Sequence, residues 1–213
     1  MLEEKTRDSA VAGEANLAEA KARFEAAFPI TPNWSVERLL SMTKEETIEL
    51  WKTLPAVSLE ELQGHFTGII PNCGDPQRQA AATEYMYDEN SVRGYWLGKA
   101  YRKTGPNEGE GYNRWRLPGG KIERRSRFIT EVGNSFFDGK PSLLMYYGAY
   151  RADAPSFVDE IRKLEDYIYL GVGSILNAEG KRSPGHFILT GPTDEWIGDA
   201  TGDRVPGWIK PLK

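Results

Sequence analysis

Lysine, arginine and tyrosine recur beside tryptophan and phenylalanine in the later two-thirds of the chain, and these are the side chains there that can do chemistry. In GYWLGKAYRK (94–103), Lys99, Tyr101 and Arg102 follow Trp96; in YNRWRL (112–117), Arg114 and Arg116 flank Trp115. Arg124 shares an alternate-residue face with Ser126, Phe128 and Thr130, and SLLMYYGAY (142–150) carries Tyr146, Tyr147 and Tyr150. A cation or phenol hydroxyl turned into an aromatic pocket holds a carbonyl, enolate or carboxylate oxygen. The same group turned to water does not, and charged side chains mostly face water.

Other chemistries have no support in the sequence. His65 and His186 sit in different strand-like segments, with no Cys or carboxylate at metal-ligand spacing. There is no G-x-S-x-G elbow, phosphate loop or dinucleotide fingerprint. LPGGK (117–121) has the pattern of a hairpin turn. Cys73, in PNCGDP, precedes a helix N-cap that would favour its thiolate, but a nucleophilic cysteine needs a base, and the nearest histidine in sequence is His65.

The elements that must position these side chains divide the chain into two textures. Residues 14–28 place Leu17, Ala20, Phe24, Ala27 and Phe28 on one helical face before Pro29 and Pro32. Residues 43–55 open on a Thr43/Glu46 capping box, and SLEEL (58–62) repeats that pattern with Ser58 and Glu61. Residues 75–88 begin with Asp75 as N-cap and Pro76 at the first helical position. From about residue 94 the chain reads as short strands at 94–103, 112–117, 121–132, 142–150, 157–164, 167–176 and 185–191, with 157–164 the weakest pattern and also readable as a helical turn. With LQGHFTGIIP (62–71) these make about eight. Even spacing with turn signals and few intervening helices predicts a mainly β fold with N-terminal helices: an antiparallel, eight-stranded, lipocalin-like β-barrel with a central pocket. The expected organisation is a helical segment over 1–57 packing on the outside of the barrel, plugging one end or acting as a lid, a barrel over 58–191, and a tail over 192–213 pinned to it by Trp196 and Trp208.

Glycines bear on whether the barrel is hollow. Alternation places Trp96, Gly98, Ala100 and Arg102 on one face of 94–103, and Tyr167, Tyr169, Gly171, Gly173 and Ile175 on one face of 167–176. An eight-stranded barrel is just wide enough to be packed solid or to hold one small ligand. Glycine beside an aromatic residue either turns a barrel corner or leaves room, and the sequence keeps both open. Gly64 and Gly68 bracket His65, Phe66 and Thr67, and are expected to let the first strand bend around Phe66 at the barrel floor.

Composition limits the partners. The 213 residues carry 27 basic and 31 acidic side chains, a net of −4, which argues against nucleic acid and gives no polybasic membrane patch. No apolar run approaches the roughly 20 residues of a membrane span. The single cysteine fits a reducing compartment, and the charged N-terminus lacks a secretory pattern, so a cytoplasmic protein is expected.

GHFTG followed by YWLGKAYRK resembles the GXWXG-type domain, with Phe66 in place of the first tryptophan and Trp96, Gly98, Lys99 and Tyr101 keeping the second motif. LMYYGAYRADAPSFVDEIRKLEDYIYLGVG resembles the uncharacterised domain that usually follows it: Tyr146, Asp159, Arg162, Lys163, Leu170, Gly171, Phe187 and Leu189 fit, and Ile161 stands where Phe is usual. The resemblance spans roughly residues 58–191. It implies a calycin-like or lipocalin-like barrel and no agreed activity, and it draws attention to Lys99 and Arg162.

Together these readings give a barrel that binds a small lipophilic molecule and acts as a cofactor-independent cyclase or isomerase, of the pericyclase or Diels–Alderase kind met in secondary metabolism. The alternative is a non-enzymatic carrier, and a filled scaffold is a third reading. Polar groups converging on one point would favour the enzyme, and an evenly apolar cavity the carrier. The catalytic candidates are Lys99, Arg102, Tyr147 and Arg162. The wall candidates are His65, Phe66, Trp96, Trp115, Phe128, Tyr146, Tyr169 and Phe187. No metal or cofactor is expected, and a homodimer is left open.

Overall fold

Thr43 and Glu46 form the predicted reciprocal cap: the Thr43 hydroxyl accepts from Glu46 N at 3.2 Å, and Glu46 Oε2 accepts from Thr43 N at 2.7 Å. The computed structural model describes residues 34–198 and 200–211, so the helix expected at 14–28 lies outside the described residues. Helix α1 (Val36–Ser41), which no sequence signal above anticipates, starts on the Ser35 cap, and α2 (Lys44–Thr53) follows it. Ser58 and Glu61 also exchange capping hydrogen bonds, but only a turn follows. Strand β1 (Gly64–Ile69) begins too soon for a helix to propagate there. Helix α3 (Pro76–Tyr87) begins on Asp75 and Pro76 as expected.

The strands are β2 (Tyr95–Gly105), β3 (Glu108–Arg116), β4 (Ile122–Asn134), β5 (Pro141–Tyr146), β6 (Val158–Glu165), β7 (Ile168–Ser174) and β8 (Gly185–Asp194). Each pairs antiparallel with the next, and β8 returns to β1, closing an up-and-down barrel. The 157–164 segment is therefore a strand. The strand expected at 142–150 ends at Tyr146, where the chain turns through a 3₁₀ helix (Tyr147–Ala149). At the LPGGK hairpin, Gly119 and Gly120 take φ of +83° and +85°, which L side chains rarely adopt.

Meander connectivity puts alternate connections at the same end of the barrel. One end is plugged: Val57, Leu59 and Leu62 join Phe66, Tyr101, Phe128, Leu143, Ile161 and Leu189 in one buried cluster. The other end carries the β1–β2, β3–β4, β5–β6 and β7–β8 connections. Helices α1 and α2 pack on the outer wall, where Leu39, Met42, Leu50 and Trp51 bury Leu170, Val172 and Ile188. They are neither plug nor lid; α3, between β1 and β2, lies over the open end. The tail is pinned as expected, with the Trp196 ring 4.6 Å from Tyr112 and Trp208 5.9 Å from Tyr146.

Candidate functional site

The alternation of β2 is broken twice, the second time at its end, between Lys103 and Gly105. Its register with β3 first shifts between Trp96 and Gly98, and Gly98 takes φ +124°; a Cβ there would meet Phe66 O at 2.1 Å. The extra residue moves the phase by one. Trp96 therefore shares the interior with Lys99 and Tyr101, and Gly98, Ala100 and Arg102 face outward. The expected Trp96–Gly98–Ala100–Arg102 face does not exist beyond the bulge.

Lys99 lies opposite Asn113 of β3 in the register. Its Nζ donates to Asn113 Oδ1 at 3.0 Å, to the Tyr147 hydroxyl, and to Asp159 Oδ2 at 2.8 Å. Tyr147, just past β5, donates its own proton to Asp159 Oδ2 at 2.7 Å. Trp96 Nε1 donates to Asn113 Oδ1 at 3.0 Å, fixing the amide so that Asn113 Nδ2 faces Ser126 O and the Tyr147 oxygen. Asp159 Oδ1 accepts no hydrogen bond among the described residues; it sits against Gly173, where a Cβ would lie 2.4 Å from it. Burial lowers the Lys99 ammonium below its usual range even with Asp159 beside it. Burial, with the Asp159 charge, pushes the Tyr147 phenol well up.

Above this group is a cavity of about 470 Å³, a size typical of small-molecule sites. Its walls include Trp96, Trp115, Phe157 and Phe187, with Ala82, Tyr85 and Met86 of α3 at the mouth. Two glycines keep it open. A Cβ at Gly68 would meet the Trp96 ring at 2.3 Å, and one at Gly171 the Phe187 ring at 2.2 Å, so both rings lie flat on the wall instead of projecting into the lumen. Tyr147 stacks on Phe157 at 4.5 Å, which holds its hydroxyl toward Lys99. The Trp115 indole N–H is buried without an acceptor among the described residues.

Of the sequence candidates, the structure brings Lys99, Tyr147, Trp96, Trp115 and Phe187 to the cavity. Phe66 and Tyr169 are interior but below it, their rings 5.6 Å apart edge to face in the plugged half. Phe128 is also interior, 5.2 Å from the Tyr147 ring, and supports the base of the site. Four assignments are corrected. Arg102 faces solvent and pairs with Glu110 beneath Trp196. Arg162 is buried outside the barrel wall, bound to both Asp138 oxygens at 2.7 and 2.8 Å and stacked 3.9 Å over Trp51. Tyr146 points outward to Glu131 at 3.1 Å. His65 is outward under the tail: Tyr112 donates to Ile197 O at 2.7 Å, so the 2.9 Å contact of His65 Nε2 with the Tyr112 oxygen is donated by the histidine. Cys73 is also corrected: burial raises its thiol, so the helix cap does not make it a thiolate.

Asn113 was missed because a lone asparagine in YNRWRL carries no chemical signature. Asp159 entered only as a position fitting the family resemblance. The α3 residues were read as a helix with no place in the site.

The two histidines predict a pH response of the fold. Burial, aided at His65 by Arg114 and at His186 by Lys44, pushes both down to about 4 from 6.5. Between those values the unfolded chain binds protons that the folded chain refuses, so stability falls as pH drops from about 6.5 to about 4. A denaturant series across that range should show the slope, and the H65Q/H186Q variant should flatten it.

The fold and site define a closed eight-stranded up-and-down β-barrel with a cavity at one end and a buried polar cluster at its base. Comparison with known proteins bears on the fold alone. No family model matches the chain, and no curated protein does. A crystal structure of a protein from Thermomonospora curvata is similar over 81% of this chain and 97% of that one, at 21% identity and a TM-score of 0.50. An odorant-binding protein, OBP1, is similar over 67% of this chain and 78% of its own, at 14% identity and a TM-score of 0.36. Among the described residues no helix is long and apolar enough to cross a membrane, and no three His, Cys, Asp or Glu side chains group to hold a metal.

Proposed function

We propose that the barrel takes a small, largely apolar molecule into the cavity and acts on it as a cofactor-independent isomerase or cyclase. The observation that carries this is the convergence of Lys99, Tyr147, Asn113 and Asp159 on one point at the base of an aromatic cavity. A buried ion pair rarely stabilises a fold better than well-packed apolar residues would, so packing does not account for it. A simple carrier has no need of it either.

In this reading the aromatic walls hold an unsaturated substrate in one folded conformation, and proximity lowers the barrier. The Lys99 ammonium donates to a substrate oxygen that gains negative charge along the reaction, in place of Asn113 or Tyr147. Its lowered proton affinity makes it a stronger donor there. The unpaired Asp159 Oδ1 is a second contact, accepting from a substrate O–H or taking a proton beside the carbonyl. No atom is gained or lost in an isomerisation of this kind. Lys99 and Asp159 come from the two segments that resemble the GXWXG-type domain and its partner, and we propose that this resemblance reflects their shared base.

The test is incubation of the purified protein with a lipophilic metabolite extract of its source organism, followed by liquid chromatography with mass detection against a boiled control. Loss of one compound with a new peak of equal mass supports an isomerase or cyclase. A peak at the summed mass of two lost compounds supports an intermolecular cycloaddition. A compound that only co-purifies unchanged overturns the enzyme reading and leaves the carrier.

A further inference from the structure

The charges around the cavity are not balanced. Its lining holds four cations, Arg93, Lys99, Arg125 and Arg151, and one carboxylate, Asp159, which is committed to Lys99 at the base. Arg93 and Arg151 lie on connections at the open end and Arg125 near the start of strand β4 beside them, in a protein whose net charge is −4. Arg125 and Arg151 pair with Glu123 and Asp153, but neither carboxylate lines the cavity. Arg93 has no carboxylate partner among the described residues. Its guanidinium lies 3.6 Å over the Tyr85 ring of α3, and its carbonyl accepts a hydrogen bond from Arg125, so Arg125 fixes the segment that carries it. The mouth thus carries arginines, one of them stacked on an aromatic ring, and the wall below it is largely apolar down to the Lys99 cluster.

From this we infer that the ligand is an amphipathic organic anion: its apolar body lies between Trp96 and Phe187, and its anionic head group is held at the mouth by Arg93 and Arg151. The inference rests on the reading of the cavity as a binding site and adds the class of molecule and its direction of entry. A positive rim over an apolar cavity draws an anion in and orients it head outward. A neutral ligand would gain nothing from the rim.

Two probes with one aromatic body separate these cases: 8-anilinonaphthalene-1-sulfonate and its uncharged counterpart, N-phenyl-1-naphthylamine. Both are titrated at low salt, read by their own emission and by quenching of the protein tryptophans. The expected result is about tenfold tighter binding of the sulfonate, the low end for a charge-assisted contact near solvent, narrowing in about 0.5 M salt. The R93Q/R151Q variant should bring the sulfonate to the affinity of the neutral probe and leave the neutral probe within about twofold of its original value. The R93K/R151K variant should keep most of the preference. Equal affinity for the two probes, or a preference that survives R93Q/R151Q, overturns the inference and leaves the binding cavity standing. Failure of both probes to bind the native protein overturns the inference and the cavity reading together.

Discussion

Replacing Lys99 with methionine is expected to cost about 3–5 kcal/mol of folding stability, because it leaves the Asp159 carboxylate buried and without its cation. At about 2–4 °C per kcal/mol for a chain of this size, the melting temperature should fall by roughly 6–20 °C. That result alone would show only that the pair is buried. The informative variant is K99M/D159N, which removes both charges and keeps an acceptor for the Tyr147 hydroxyl. Its stability should return to within about 1–2 kcal/mol of the native protein, since a neutral pair has no desolvated charge to compensate. Its turnover, measured on whichever compound the extract experiment identifies, should stay down by about 10²–10³-fold, the usual cost of losing one donor to a developing oxyanion. A stable double variant with native turnover would make Lys99 part of the scaffold and remove the proposed mechanism. A double variant as unstable as K99M would mean that the lost stability lies in packing around Lys99 and not in the stranded carboxylate.

Arg162→Met should behave in the opposite way. The guanidinium is fully buried, donates to both Asp138 oxygens, stacks over the ring of Trp51, and donates to Trp51 O at 3.2 Å. It therefore ties the β4–β5 connection and the end of α2 to the outside of β6. Burial alone would raise the Asp138 carboxyl, but Arg162, together with the hydrogen bonds from Lys140 N and Ser135, holds the group below the usual range. Losing the arginine strands that carboxylate, at an expected cost of about 3–5 kcal/mol. None of these groups lines the cavity. At a temperature where the variant is still folded, probe affinity and turnover per folded molecule should stay within about twofold of native. Calorimetry combined with the two-probe titration reads both quantities on one sample. Loss of affinity or turnover in the folded variant would return Arg162 to the functional site.

The two experiments also show where the sequence was readable. Strand number, order and hairpin closure were legible because each depends on local signals: aromatic and β-branched runs, the Pro118–Gly120 turn residues, the Thr43/Glu46 box and the Asp75–Pro76 helix start. Helix α1 was not, since six residues give too short a period to detect against the surrounding loop. Lys99 and Arg162 looked equivalent as strand cations at family-like positions. Both are buried, yet they lie on opposite sides of the wall, and only strand phase separates them.

Strand phase accounts for the rest as well. The bulge between Trp96 and Gly98 removed Arg102 from the interior and put Lys99 in its place. Gly98 fits a bulge in YWLGKAYRK, but a strand glycine equally fits an unbroken strand that leaves room, and the sequence does not choose between them. Asn113, Tyr147 and Asp159 reach Lys99 from three other elements, across 14, 48 and 60 positions of chain. The sequence by itself determined that the chain forms a meander of short strands rich enough in glycine and aromatic residues to close around a small space. Barrel closure, bulge position and the flat seating of Trp96 on Gly68 and Phe187 on Gly171 decided which side chains meet in that space. Those are non-local contacts, set by how strands register against one another, and local propensity does not encode them.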